Sequence, residues 1–239
     1  MKEENVMFRH EYKYFVSAQQ LILLRHRLSG LIPLDQHVGK NGFYTIRSVY
    51  FDDVENSCFY ENENGTDPRE KFRIRIYNGD SSIIHLELKC KRNGKCLKKS
   101  CRISFEQCRR IIEGNLFEAS GEYHPLLNSF LIKCQTRLLK PVVIVEYDRI
   151  PYVYRNGNVR VTLDCNIRSS YETKKFLEKS IITRPVLMNN QHLMEVKWDE
   201  YLPDFIRNAA ALKSLQWTSF SKYYICREKN MGVTYGGRV

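Results

Sequence analysis

Four short stretches of this chain place a charged side chain at every second position, with an apolar or aromatic one between. They run Arg69-Glu70-Lys71-Phe72-Arg73-Ile74-Arg75-Ile76, His85-Leu86-Glu87-Leu88-Lys89-Cys90-Lys91, Val159-Arg160-Val161-Thr162-Leu163-Asp164 and Met194-Glu195-Val196-Lys197-Trp198-Asp199. A period of two marks a β-strand, so each stretch sends its charges to one face and its apolar groups to the other. A strand with one face in water alternates in the same way. Here, however, several strands carry Lys and Arg on the polar phase, each set accompanied by Glu or Asp. Such strands line a cationic cavity that suits a phosphate-rich polyanion.

The 239 residues fit a single domain spanning 1–239, with a core at about 7–227 and a flexible tail at 230–239. The chain has 38 Lys+Arg against 27 Asp+Glu, a formal charge of +11. That excess favours an anionic partner: nucleic acid, an anionic membrane surface or a phosphorylated molecule. Eight cysteines occur without a CxxC pair or a zinc-like spacing, which predicts reduced thiols. The start, Met1-Lys2-Glu3-Glu4-Asn5, lacks an apolar leader segment. No apolar run approaches the ~20 residues that span a bilayer, so a soluble, cytoplasmic protein is expected.

The periodicity predicts strands at about 7–16, 42–51, 69–77, 83–91, 95–103, 142–154 (interrupted by Pro151), 159–167 and 192–199. Helices are predicted at 18–29, after a Ser17 cap, and at 104–113, 125–139, 203–215 and 219–229, with a short helical turn capped by Asp52-Asp53. Asn78-Gly79-Asp80 and Asn93-Gly94 signal hairpin turns. About eight strands in hairpin order, with helices inserted, predict an α+β fold. Its expected form is an eight-stranded antiparallel closed β-tunnel with peripheral helices, the charges facing a shared lumen.

On their charged phases the strands offer Lys13, Arg47, Arg73, Arg75, Lys89, Lys98 or Lys99, Arg149 and Arg160. Arg and Lys bind phosphate as a planar fork and as a point charge respectively. The acidic set is Glu11, Glu87, Glu146, Asp164 and Glu195. Glu-x-Lys recurs at Glu11-Tyr12-Lys13, Glu87-Leu88-Lys89 and Glu195-Val196-Lys197, and a spacing of two aims both side chains into one space. Carboxylates beside phosphates call for a bridging divalent cation. Solvated sheet faces with weak cross-strand ion pairs give the same pattern for any single residue. The chain has no P-loop and no GxGxxG, and its six histidines are scattered.

The chain resembles the triphosphate tunnel (CYTH-like) superfamily and, within it, the VTC domain of polyphosphate polymerases. The likeness rests on Phe8-Arg9-His10-Glu11-Tyr12-Lys13-Tyr14, Ser48-Val49-Tyr50-Phe51-Asp52, Lys71-Phe72-Arg73-Ile74-Arg75, Glu87-Leu88-Lys89, Glu146-Tyr147-Asp148-Arg149, Val159-Arg160-Val161-Thr162-Leu163-Asp164, Met194-Glu195-Val196-Lys197 and Phe220-Ser221-Lys222-Tyr223. These strings stand in the family's order and cover about residues 7–227. The resemblance implies a tunnel open at both ends and ATP-dependent extension of polyphosphate with Mn²⁺ or Mg²⁺. It implies catalytic roles for Arg73, Arg75, Lys89, Arg149, Arg160 and Lys222. It implies substrate contacts from Lys13, Arg47, Lys99, Tyr147, Lys197 and Ser221, and metal carboxylates at Glu195, Glu11 and Glu87. The implied partners are ATP and polyphosphate, with no nucleic acid; a membrane partner and the oligomeric state are left open. The chain lacks the SPX domain and membrane helices of eukaryotic members and so resembles a stand-alone form. Ser219 stands where some relatives carry a lysine. Alternative functions are a triphosphatase on the same fold and a non-catalytic polyphosphate or nucleic-acid binding module.

Overall fold

The computed structural model describes residues 9–188, 190–211 and 213–231. Strand β1 (His10–Ser17) runs straight into α1 (Ala18–Ser29) because Ser17 closes a capping box: its hydroxyl accepts the Gln20 N–H at 3.2 Å, and the Gln20 side chain accepts the Ser17 N–H at 2.8 Å. After β2 (Tyr44–Asp52), the buried Asp52 carboxylate accepts the N–H groups of Cys58 (2.9 Å) and Phe59 (3.2 Å) and so starts α2 (Ser57–Glu63). Asn78-Gly79 and Asn93-Gly94 have φ of 53°, 68°, 51° and 73°, the left-handed pairs that tight hairpins require. They fold β3 (Arg69–Tyr77), β4 (Asp80–Arg92) and β5 (Lys95–Ile103) into the expected meander.

A second capping box at Ser104 opens α3 (Phe105–Glu113), followed by α4 (Pro125–Thr136). The chain continues through β6 (Lys140–Tyr154), β7 (Val159–Ser170), the two-residue β8 (Arg184–Pro185), β9 (Gln191–Trp198), α5 (Asp204–Ala209) and α6 (Lys222–Met231).

Four features differ from expectation. Pro151 does not interrupt β6, because β2 pairs only as far as Arg149 and the loop at 33–35 takes over beyond it, donating the Asp35 N–H to the Pro151 carbonyl at 2.9 Å. Leu138 and Ala211, at φ of 53° and 51°, end the chain's helical run before 139 and before 215. α6 begins at Lys222, after an extended segment. The start of the first predicted strand and most of the predicted tail fall in 1–8 and 232–239, outside the described residues.

The strands form one antiparallel sheet in the order β1-β9-β7-β6-β2-β3-β4-β5, with β8 beside β7. The sheet curls, but the predicted closed tunnel is not what it builds. Among the described residues the backbone bonds between the first strand and β5 are those of Arg9 with Cys96 (3.1 and 3.3 Å), so the sheet forms an open half-barrel. The free edge of β1 is taken elsewhere: the Thr218 N–H donates to the Lys13 carbonyl at 2.9 Å, and Trp217 bridges Tyr14. An edge already paired cannot also pair with β5.

The expectation of two open mouths also changes. Tyr223, Cys226 and Phe220, in and just before α6, pack with Tyr50, Val143, Val145, Tyr147 and Leu193 on the inward face of the sheet. One end of the barrel is therefore filled. On the convex side, α3 and α4 cover β2–β5 with Phe130, Leu127 and Ile111 against Val49, Ile74, Ile76 and Leu86. All eight cysteines are free thiols, and among the described residues no helix is long and apolar enough to cross a membrane.

Phe130 is fully buried, with ring centroids 4.9 Å from Phe51 and 5.1 Å from Phe72. Phe130→Ala is expected to cost about 3–5 kcal/mol in chemical denaturation. A loss below about 1 kcal/mol would show that this layer does not hold the sheet in its curl.

Candidate active site

Register decides which charges meet. Ser48 lies opposite Arg75 and Tyr50 opposite Arg73. Arg73 lies opposite Glu87 and Lys71 opposite Lys89. Glu11 is across from Lys197, Lys13 from Glu195, Thr162 from Glu195 and Arg149 from Asp164. Directly opposed residues share a sheet face, so all of these point into the concave side.

Two connected ion networks line that side. In the first, Glu87 holds Arg73 (2.7 Å), Lys98 (2.9 Å) and Arg75 (3.6 Å), while Arg73 also donates to the Tyr50 hydroxyl at 2.8 Å. In the second, Asp164 takes Arg149 bidentately at 2.7 Å twice and Lys222 at 2.6 Å. Glu195 takes Lys222 (2.6 Å), Lys197 (3.2 Å) and Arg149 (3.4 Å). Glu11 takes Lys89 (2.7 Å), Lys197 (3.3 Å) and Lys13 (3.8 Å). Tyr147 joins the two networks: Arg75 reaches its hydroxyl at 3.5 Å, and Lys222 and Arg149 lie 4.8 and 5.1 Å from its ring centroid.

Burial alone would raise these carboxyls. The cations around them outweigh it and hold Glu87, Glu11, Glu195 and Asp164 below the ordinary carboxylate range. Burial would likewise lower the lysines, yet Asp164 and Glu195 keep Lys222 above its usual value, and Glu11 does the same for Lys89. Two lysines lack enough compensation. Burial takes the Lys13 ammonium down to about 8, with Lys89 and Lys222 as like charges nearby. Burial takes Lys71 down to about 7, with Arg69, Lys89 and Lys13 around it. Four carboxylates thus share eight cations (Arg73, Arg75, Lys98, Arg149, Lys222, Lys197, Lys89 and Lys13). An excess of one sign on a largely enclosed face favours a ligand of the other.

Most residues nominated from the sequence meet here: Arg73, Arg75, Lys89, Arg149, Lys13, Lys197, Lys222 and Tyr147, with Glu11, Glu87 and Glu195. Arg160 lies at the rim, bonded to Asp35 (3.1 Å) and the Tyr44 hydroxyl (2.6 Å). Three nominations fall differently. Arg47 pairs with Ile76 and Glu146 on the convex phase, where it bonds Glu146 and the carbonyls of Phe176, Glu178 and Lys179. It borders a separate outer cleft of about 580 Å³, with Lys40, Thr45 and Lys179.

Lys99 stands opposite Leu88 on the convex phase, and Lys98, opposite Lys89, is the inward residue. Ser221 uses its hydroxyl to accept the Tyr224 N–H at 3.3 Å, so it starts α6. Sequence reasoning missed Lys71 as a site residue, although its place two before Arg73 gives the same phase. It also left Asp164 out of the nominated set, although that residue anchors Arg149 and Lys222.

The metal carboxylates separate into two places, with Glu87 in the first network and Glu11 and Glu195 in the second. Among the described residues no group of three or more His, Cys, Asp or Glu is arranged to hold an ion. Glu11 and Glu195 share Lys197, so they suit only a cation that draws its other ligands from phosphate.

A model of the VTC domain matches residues 8–230. No curated protein sequence matches the chain. Among solved structures, it is similar to a Hippeastrum protein described as an adenylyl cyclase with a dominant triphosphatase activity. That likeness has 13% identity and a TM-score of 0.53, and covers 93% of this chain and 96% of the other. A Bacillus halodurans protein described as an adenylate cyclase aligns at 18% identity and a TM-score of 0.48, over 86% and 88% of the two chains. The PH1819 protein of Pyrococcus horikoshii aligns at 13% and 0.47, over 92% and 99%.

Lys13 and Lys71 give the site a pH signature. An anion raises both pKa values, so affinity is full below about 7 and falls as pH climbs through 7 to 8 and above. At pH 8, binding of inorganic tripolyphosphate is expected to take up more protons in the wild type than in Lys71→Met or Lys13→Met. Calorimetry in buffers of different ionisation enthalpy reads this directly. Equal proton counts in all three proteins would remove both lysines from the binding surface.

Proposed function

The chain belongs to the VTC domain family, and from that premise and its lumen we propose that it is an ATP-dependent polyphosphate polymerase. The observation that carries the reading is the inward excess of cations over carboxylates on strands from both halves of the sheet. A triphosphate entering the groove exchanges carboxylate partners for phosphate oxygens, which leaves Arg73, Arg75 and Lys89 on the wall of β3 and β4 and Lys13, Arg149 and Lys222 on the other. The terminal oxygen of a polyphosphate chain then attacks the γ-phosphorus in line. An O–P bond forms, the bond between the γ-phosphorus and the β–γ bridging oxygen breaks, and ADP leaves with that oxygen. Phosphoryl transfer needs little covalent help from protein, so fixed cations that position both chains and neutralise developing charge supply most of the rate. A Mg²⁺ or Mn²⁺ shared between Glu195, Glu11 and phosphate oxygens would add further charge neutralisation.

Hydrolysis of a triphosphate is the second reading, and the observation that favours it is α6. A helix filling one end of the groove leaves a growing polymer fewer ways out, whereas a short triphosphate needs only one mouth. Water then replaces the chain end as the nucleophile.

Incubation with ATP and Mn²⁺, followed for ADP, orthophosphate and polymer on a gel, separates the two. Polymer with ADP is expected; ADP and orthophosphate without polymer would give the site to hydrolysis. Arg73→Ala or Arg75→Ala is expected to lower turnover by about 10²–10³-fold with the fold retained by circular dichroism. Unchanged yield in either would end the assignment. Glu195→Gln is expected to raise the Mn²⁺ concentration for half-maximal turnover at least tenfold. An unshifted metal titration would take the ion away from this carboxylate.

A further inference from the structure

One buried polar group in the lumen has no use within the fold. Thr162 is 1% exposed, and its hydroxyl oxygen finds no hydrogen-bond partner among the described residues. Its strand position explains why. On one side Thr162 faces Pro151, whose side chain has no hydrogen-bonding atom, and on the other it faces Glu195. The Glu195 oxygens are already engaged by Lys222, Lys197 and Arg149. Threonines in sheets ordinarily share their hydroxyl with a cross-strand partner, and a buried hydroxyl left alone is costly. Valine has the same shape without that cost, and the alternate positions of this strand are Val159, Val161 and Leu163. The hydroxyl therefore calls for a partner that the described residues do not supply.

A second unspent donor lies two residues away on the same face. The Arg160 Nε is buried and has no partner among the described residues, although its Nη2 holds Asp35 and Tyr44. Lys197, directly across from Arg160, supplies positive charge beside both. Positions two apart on a strand are about 6.6 Å apart, more than the edge of one phosphate tetrahedron. We propose that Thr162 Oγ1 is a further substrate donor, which holds a phosphoryl group of a linear phosphate chain laid along β7 beside Arg160, a residue already among the phosphate-binding candidates. This rests on the lumen being the phosphate groove of the proposed function, and it adds Thr162 to that groove's contacts.

The test is equilibrium binding of inorganic tripolyphosphate and of orthophosphate, without metal or nucleotide, to the full chain and to Thr162→Val and Thr162→Ser. Thr162→Val is expected to melt at or above the wild-type temperature, since it removes an unsatisfied group. It is expected to bind tripolyphosphate about tenfold more weakly, with orthophosphate affected less. Thr162→Ser is expected to restore binding. Wild-type affinity in Thr162→Val would overturn the proposal, and so would a lower melting temperature in Thr162→Val alone, which would place the hydroxyl's partner inside the fold. Arg75→Ala separates the two levels. If it weakens tripolyphosphate binding and Thr162→Val does not, only the threonine's role falls. If the wild type does not bind tripolyphosphate at all, the phosphate groove falls and this proposal with it.

Discussion

The fold depends on buried cations being tolerated inside a curled sheet. Eight of the Lys and Arg side chains on the concave face share four carboxylates, and without partners the desolvation of the buried ones among them would oppose folding strongly. Glu87, Asp164, Glu195 and Glu11 make the arrangement possible because each is shared among two or three cations. Sharing keeps every cation within reach of an opposite charge while leaving the face positive overall. Full neutralisation, with one carboxylate per cation, would stabilise the same sheet and leave phosphate nothing to bind. The Glu-x-Lys pairs therefore stabilise the empty groove and also release their cations to a competing anion.

How much of this the sequence made legible follows from how each strand is buried. β1, β3, β4, β7 and β9 carry most of their charges on one phase, so a period of two sufficed to place Lys13, Arg73, Arg75, Lys89, Arg160 and Glu195 on the inward face. β2 is buried on both faces, its two phases are both largely apolar, and nothing local says which one is inward. Only pairing of Ser48 with Arg75 puts Arg47 outside. Lys98 and Lys99 are adjacent and chemically identical, and the tight Asn93-Gly94 turn, by setting Lys89 opposite Lys98, chooses between them. Thr162 was hidden for a different reason. A threonine in a strand is unremarked in sequence, and its isolation appears only once Pro151 is known to be its neighbour.

Closure of the sheet was not legible because it depends on an edge contact between strands far apart in sequence. Alternation shows that charges share a face but says nothing about whether β1 reaches β5. The competitor for that edge, Trp217 and Thr218, sits about 200 residues further along the chain and reads as a loop. The antiparallel meander from β3 through β5, by contrast, follows from two Asn-Gly turns and was readable as a meander.

The same distant segment ties the end of the chain to the site. From its contact with β1 the chain places the Phe220 carbonyl 2.7 Å from Lys13 Nζ, then sends Lys222, the first residue of α6, between Asp164 and Glu195. Lys222 reaches that position because the next residue, Tyr223, bonds the buried Asp52 and packs on Tyr50 at 5.3 Å. Asn230 adds a contact to Ser169 at 3.2 Å, and Arg227 another to Asn56 at 2.8 Å. A cation on a loop would lose side-chain and backbone entropy on entering the groove; on a docked helix most of that cost is met by the packing of Tyr223 and Cys226. The helix that narrows one end of the barrel is thus also what sets the deepest lysine in place, so its apolar packing and the charge of the groove cannot be altered independently.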